Sequence, residues 1–160
     1  MSASHARMGM RVDLARIPKA EVEGLRAPND ADAMALGTLM FHAYQGTVDS
    51  EGETEAQATE EITRTFAGAY GPIDLLNSRV IERDGSIVSA TLITRWKEQP
   101  FVAFSMTHPQ WKGQGLARAC MAAAMNALVA SGRHELSLVV TAANEPAVRL
   151  YRRLGFVPTQ

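Results

Sequence analysis

The run Lys112-Gly113-Gln114-Gly115-Leu116-Ala117-Arg118 is where residue types and spacing point most directly to chemistry. Small residues at 113, 115 and 117 let a ligand come close to the main chain. An alanine-rich stretch begins at Leu116. The start of a helix there would leave its first N–H groups unpaired at the positive end of the helix dipole. Glycine-lined backbone at a helix start makes an anion site, most naturally for a phosphate or pyrophosphate. Two other phosphate patterns fit less well. A P-loop needs Gly-Lys-Ser/Thr at its end, and here Lys112 precedes the glycines. A dinucleotide fingerprint needs a third small residue where Arg118 stands. Its acidic partner would be Glu135, 20 residues after Gly115, but that falls at the start of a strand rather than its end. Taken alone, the segment also fits a glycine-rich helix start with no ligand.

The run also resembles the acetyl-CoA signature of the GCN5-related N-acetyltransferases (GNAT). That signature is Arg/Gln-x-x-Gly-x-Gly/Ala at the start of a helix, preceded by a strand and often a proline. Lys112 to Ala117 fits it with Lys in place of Arg or Gln, which keeps a cation and loses the planar fork. A second block, Asn144-Glu145-Pro146-Ala147-Val148-Arg149-Leu150-Tyr151-Arg152-Arg153-Leu154-Gly155-Phe156, resembles the family's Asn-x-x-Ala-x-x-x-Tyr-x-x-x-Gly-Phe. The two blocks are separated by one helix and one strand. The resemblance is specific over 78–157. It is weaker over 21–77, where only the order strand–helix–helix agrees.

The resemblance implies an α/β (α+β) fold, a mixed central sheet with helices on both faces, splayed between its fourth and fifth strands. Acetyl-CoA is expected in that V, its pantetheine pairing with the fourth strand like an added strand. By this resemblance Lys112, Gly113, Gln114, Gly115, Leu116, Ala117 and Arg118 cradle the pyrophosphate. Met106 and Thr107 offer backbone groups to the pantetheine, and Asn144 is both helix cap and pantetheine partner. Tyr151 gives its proton to the leaving thiolate. A phenol pKa of about 10 makes that donation coupled to departure. The implied activity is transfer of acetyl to a primary amine by direct attack through a tetrahedral intermediate, with no metal. The acceptor would be a small molecule or a peptide. The other reading is a non-catalytic acyl-CoA sensor of the same fold, which Tyr151 opposes.

No general base stands out. Residues 101–107 contain no Asp or Glu, and Ser105 there could only position a water. His108 has a suitable reference pKa near about 6.5, but its place beside Pro109 usually faces away from the thioester. His42, Glu82 and the acidic run 49–61 are further candidates. An amine already deprotonated would need no dedicated base. Cys120, mid-helix among alanines, reads as packing rather than a nucleophile.

Several elements must position these groups. Glu21–Arg26 reads as a short strand, and Asn29 or Asp30 caps a helix running to about Tyr44. Thr54–Ala69 reads as a second helix, ended by Gly71-Pro72. Asp84-Gly85 marks a hairpin between strands at 79–82 and 87–94. A turn over 96–100 leads to a strand at Phe101–Thr107. The pattern then changes to a helix over Leu116–Ala130, a strand over Leu136–Val140 and a helix capped by Asn144. Residues 1–20 read as an N-terminal arm and 21–160 as the acetyltransferase domain. Relatives usually continue past Gly-Phe into further strands, but only four residues follow Phe156. Arg11–Ile17 alternates over Val12 and Leu14, then slips at Ile17. It is the candidate to cover the bare sheet edge, in its own chain or in a homodimer.

Composition sets the outer bounds. The 160 residues carry a net charge of −1, with 46% apolar and 21% charged side chains, ordinary for one globular domain. One cysteine permits neither an internal disulfide nor a Cys-cluster metal site, and a cytoplasmic setting is expected. The start lacks the apolar core of a secretory signal, and no apolar run approaches the roughly 20 residues of a membrane span. Near-neutral charge argues against nucleic-acid binding. The charge is unevenly placed: residues 1–107 hold ten basic and fifteen acidic side chains, residues 108–160 six basic and two acidic. An anionic partner is expected on the C-terminal third. The acidic first half hints at a cationic amine acceptor.

Overall fold

A computed structural model describes residues 6–18 and 22–159. Along the chain it contains β1 (Arg7–Asp13), β2 (Leu25–Arg26), α1 (Ala33–Tyr44), α2 (Glu55–Phe66), β3 (Arg79–Arg83), β4 (Ser86–Trp96) and β5 (Gln99–Thr107). There follow α3 (Leu116–Ala130), β6 (Glu135–Thr141), α4 (Glu145–Arg153) and β7 (Val157–Pro158). The sheet order is β2-β3-β4-β5-β6-β1-β7. Every neighbouring pair is antiparallel except β5 and β6, which share one parallel pairing, Phe101↔Ser137. Beyond that pairing the two strands have no common ladder, and the sheet splays there. This is the expected architecture, with the split between the strands at 101–107 and 136–140.

Alternation along β3 and β4, shifted by a β-bulge at Val88, divides the apolar side chains between the two faces. Val80, Ala90 and Leu92 pack with Leu36, Leu39 and Met40 of α1 and Ile62 of α2. Ile81 and Val88 pack with Leu116, Ala119 and Cys120 of α3. A third core joins β6, β1, α4 and the far half of α3 around Met10, Met125, Leu138, Tyr151 and Phe156.

Turn chemistry sets the meander. Asp84 and Gly85 both take positive φ, 52° and 78°, the two-residue hairpin turn that their types predict. The next turn is equally tight and uses Lys97 (φ 51°) and Glu98 (φ 67°), which carry no such signal. The loop expected over 96–100 therefore shrinks to two residues, and β5 starts at Gln99 opposite Trp96. Two further expectations are trimmed. The strand over Glu21–Arg26 is reduced to Leu25–Arg26, because Gly24 turns with φ 83° and accepts the Glu82 N–H at 3.0 Å; Glu21 lies outside the described residues. The second helix stops at Phe66, ahead of Gly68 (φ 101°), rather than at 69. Asn29 caps, in a capping box with Asp32, the single tight turn Asp30–Asp32 that leads into α1 rather than α1 itself, whose own N-cap is Asp32. Asp32 also takes a two-pronged contact from Arg26, at 2.8 and 3.0 Å.

The N-terminal stretch is part of the sheet. β1 pairs with β6 without a break from Arg7↔Thr141 to Asp13↔Glu135, and β7 pairs with its other side at Met10↔Pro158 and Arg11↔Val157. The edge of β6 is thus covered from within the same chain. Met10 and Val12 point into the core, while Arg11 reaches Glu135 at 3.2 Å on the outer side. The slip at Ile17 also has a cause. After Asp13 the chain leaves the strand, and Asn126 of α3 holds Ile17 through both its N–H (2.9 Å) and its carbonyl (3.0 Å).

Candidate active site

The turn leaving β5 is built by short-range bonds. His108 Nδ1 accepts the Gln110 N–H at 3.1 Å, and Pro109–Trp111 forms one tight helical turn that delivers Lys112 to the glycines. Gly113 and Gly115 sit at φ 79° and 77°, and Gly115 is the N-cap of α3. A Cβ built on either meets nothing within 4 Å. The glycines meet a backbone requirement and leave open space against the amides of the helix start. An anionic group fits there.

That space belongs to a cleft of about 730 Å³ in the splay of the sheet, within the size range of cofactor sites. One wall is Ser105, Met106 and Thr107 of β5, continued by Lys112, Gly113, Gly115, Leu116, Ala117 and Arg118. Asn144 and Tyr151 stand on the wall formed by α4, and Tyr44 to Asp49 contributes from the loop after α1. So the structure brings together every residue assigned from the sequence to the cofactor or to proton donation except Gln114, which is exposed and does not line the cleft. Met106 is buried by its side chain in the α1 core, and the Thr107 hydroxyl is tied to Ser89 at 2.9 Å. Both face the cleft chiefly as backbone. With β5 and β6 unpaired beyond Phe101, that backbone has no strand partner on the β6 side.

The cleft is electrically polar. Lys112, Arg118, Arg149 and Arg153 line it, four of the six cations of the C-terminal third. Among the described residues that line it, Asp49 is the one carboxylate. Tyr151 is buried, its ring 5.8 Å from that of Phe156. Burial pushes its phenol above the ordinary value, the Ser105 hydroxyl pulls the other way, and the charge of Asp49 adds to the rise. Burial also raises the phenol of Tyr44, with Tyr151 and Asp49 contributing. Both phenols therefore hold their protons at neutral pH.

Asn144 caps α4 as expected, its Oδ1 accepting the Ala147 N–H at 3.3 Å. Its Nδ2 donates to Asp49 at 2.9 Å, which leaves one amide hydrogen for a ligand. The other base candidates sit elsewhere. Glu82 pairs with Arg26 at 3.3 Å and does not line the cleft. His42 and His108 face each other with ring centroids 5.2 Å apart, also outside the lining. Cys120 is fully buried, its thiol pushed up to about 12 by burial, so it packs rather than reacts. Of the acidic run 49–61, Asp49 alone reaches the cleft. The sequence reading placed it only as one of six acids in that run. It counted Arg149 and Arg153 only among the six cations of the C-terminal third and did not mark Tyr44 as a site residue, because which face a side chain takes depends on the neighbouring elements.

Comparison with known proteins agrees with this geometry. The family model described as acetyltransferase (GNAT) family matches residues 40–156. Streptothricin acetyltransferase of Streptomyces lavendulae is 28% identical over 107 residues, covering 67% of this chain and 51% of that protein. The chain spans about half the length of that curated relative. The structure of a GCN5-related N-acetyltransferase from Sphaerobacter thermophilus matches with a TM-score of 0.75 at 21% identity, over 96% of this chain and 48% of that one. yncA from Salmonella typhimurium, solved with its cofactor acetyl-CoA, matches with a TM-score of 0.65 at 18% identity, over 84% of this chain and 79% of that one. At these identities the two structures speak for the fold. The family match, running from the second half of α1 to Phe156, takes in the glycine turn, the splay and Tyr151 together, and by it this chain belongs to the acetyltransferase (GNAT) family.

Proposed function

We propose that this chain transfers acetyl from acetyl-CoA to a primary amine by direct attack. One observation carries the reading: a single cleft has an open glycine cradle under a helix start at one end and a buried, protonated phenol at the other. The amides from Gly113 to Arg118 would hold the pyrophosphate, with Lys112 and Arg118 adding charge. Unpaired backbone of β5 at Met106 and Thr107 would hold the pantetheine as an added strand, helped by the remaining amide hydrogen of Asn144. Donors on β5 would stabilise the oxyanion of the tetrahedral intermediate.

The amine lone pair forms the C–N bond at the thioester carbon. The C–S bond breaks, and Tyr151 gives its proton to the departing sulfur. The attacking nitrogen loses its proton to water. The acceptor is a small molecule or a peptide end. A buried free thiol at Cys120 suits a reducing, cytoplasmic setting. Steady-state release of free coenzyme A across a panel of amines, beside calorimetry of coenzyme A binding, tests this. Turnover with an amine supports transfer. Tight binding with no turnover on any amine would instead make the chain an acyl-CoA sensor.

A further inference from the structure

We propose that Asp49 is a positioning residue for the transfer: it clasps the loop after α1 to the β6–α4 turn and thereby fixes Tyr151 against β5. The proposal rests on the acetyl-transfer reading above. Past the base of the splay, strand pairing does not hold the two sides of the cleft together. β5 and β6 meet only at Phe101↔Ser137, at the base of the splay. Met106 belongs to the apolar core of α1 and α2, whereas Tyr151 belongs to a second core of β6, β1, α4 and α3 that takes in β5 only at Val102, beside the base of the splay.

Asp49 crosses that division. Its carboxylate accepts from Thr141 Oγ1 at 2.6 Å and from Asn144 Nδ2 at 2.9 Å. Hydrogen bonds to an ionised carboxylate are the stronger kind, and Thr141 is nearly shielded from water at 7% exposure. The near side is anchored as well. Thr47 Oγ1 donates to the Tyr44 carbonyl at 2.8 Å and accepts the Asp49 N–H at 3.3 Å, so the carboxylate is held from the last residue of α1. The far side leads to the phenol. Asn144 caps α4, a helix of nine residues that is too short to be stable by itself, and Tyr151 lies two turns along it. Where the first turn of α4 is pinned decides where the phenol sits beside Ser105.

The chemistry of the clasp suggests its own test. An amide at 49 replaces one of the two acceptor oxygens with an NH2 and removes the negative charge, so the two charge-assisted bonds from Thr141 and Asn144 cannot both persist. Asp49→Asn, Thr141→Val and Thr141→Ser are compared in the wild type and in the Tyr151→Phe background. Asp49→Asn is expected to lower kcat by about tenfold with coenzyme A affinity within about threefold. Thr141→Val should follow it in direction, and Thr141→Ser, which keeps the donor, should match the wild type. In the Tyr151→Phe background Asp49→Asn should change kcat less than about twofold, because the group it positions is gone. Equal losses in both backgrounds would overturn the proposal, since Asp49 would then act apart from Tyr151. An increased acceptor KM at unchanged kcat would also overturn it, placing Asp49 on the acceptor itself. Hydrogen exchange on the full chain reads the clasp without turnover. Amides of Ala147–Tyr151 should exchange about tenfold faster in Asp49→Asn and Thr141→Val than in wild type and Thr141→Ser. Equal exchange would overturn the clasp. Wild-type protein that binds coenzyme A but acetylates no amine would count against transfer, while the exchange result still decides the clasp.

Discussion

Gly115 concentrates two demands at one residue, a left-handed φ of 77° and empty space against the first amides of α3. Valine there strains the backbone and fills the space a phosphate would take. Coenzyme A binding in Gly115→Val is expected to weaken by at least about tenfold by calorimetry, and unchanged affinity would remove the cradle from the mechanism. Tyr151 makes a sharper demand, since its phenyl ring packs on Phe156 while only its hydroxyl can do chemistry. Tyr151→Phe should lower kcat roughly 100-fold and leave coenzyme A affinity within about threefold. Turnover at the wild-type rate would mean that water protonates the thiolate. Cys120 gives a stability test. Its thiol is raised from 9.0 to about 12, so above pH 9.0 the unfolded chain releases a proton that the folded chain keeps. Its contribution is fully present below pH 9.0 and is lost as pH rises towards about 12. In denaturant titrations the stability gap between wild type and Cys120→Ala should narrow by about 1–2 kcal/mol between pH 8 and pH 10.5.

At the scale of elements, short pieces are held by side chains rather than by their own length. β2 has two residues, and its hold on the start of α1 is the Arg26–Asp32 pair, with Asp32 also accepting the Asn29 N–H at 2.8 Å. Hydrogen bonding to Arg26 keeps the Asp32 carboxyl below the ordinary carboxylate range. A depressed acid stabilises the fold above its unfolded pKa and ceases to do so as pH falls through its folded pKa. Asp32→Asn should cost about 1 kcal/mol at pH 7, a figure kept low because the Arg26 side chain is a third exposed. The wild type should lose that advantage below about pH 4, so the two unfolding curves converge in acid. A constant gap from pH 7 to pH 3 would place the effect in packing.

For the molecule as a whole, β1 decides whether the sheet is complete. It covers β6 along seven residues and gives β7 its partner, and Met10 is fully buried in the core that also holds Tyr151. Met10→Ala should lower the unfolding free energy by about 2–4 kcal/mol, read as a shift of the denaturant midpoint. Removing residues 1–13 should leave a chain that unfolds at room temperature or aggregates through the exposed β6 edge. A truncated chain as stable as the wild type would show that β1 contributes little to the core.

Much of this was legible because it depends on near neighbours in sequence. Asn29, Thr54 and Asn144 each accept an N–H within three residues, so caps and helix starts follow from residue type. Asp84-Gly85 sets its hairpin in the same way. The glycine turn was readable too, though the positive φ values at Gly113 and Gly115 favour the signature counted from Gln110, which supplies the usual first Gln, over the count from Lys112. What sequence left open were relations across long separations. Arg7–Asp13 alternates like many edge strands, and only the bare side of β6, 122 residues away at the nearest pairing, Asp13↔Glu135, makes it an inner one. Asp49 looks like its five acidic neighbours until Thr141 and Asn144, 92 and 95 residues away, select it. Local types determine which turns and helices form. The packing of distant elements, which no short window contains, decides which side chains share a cleft.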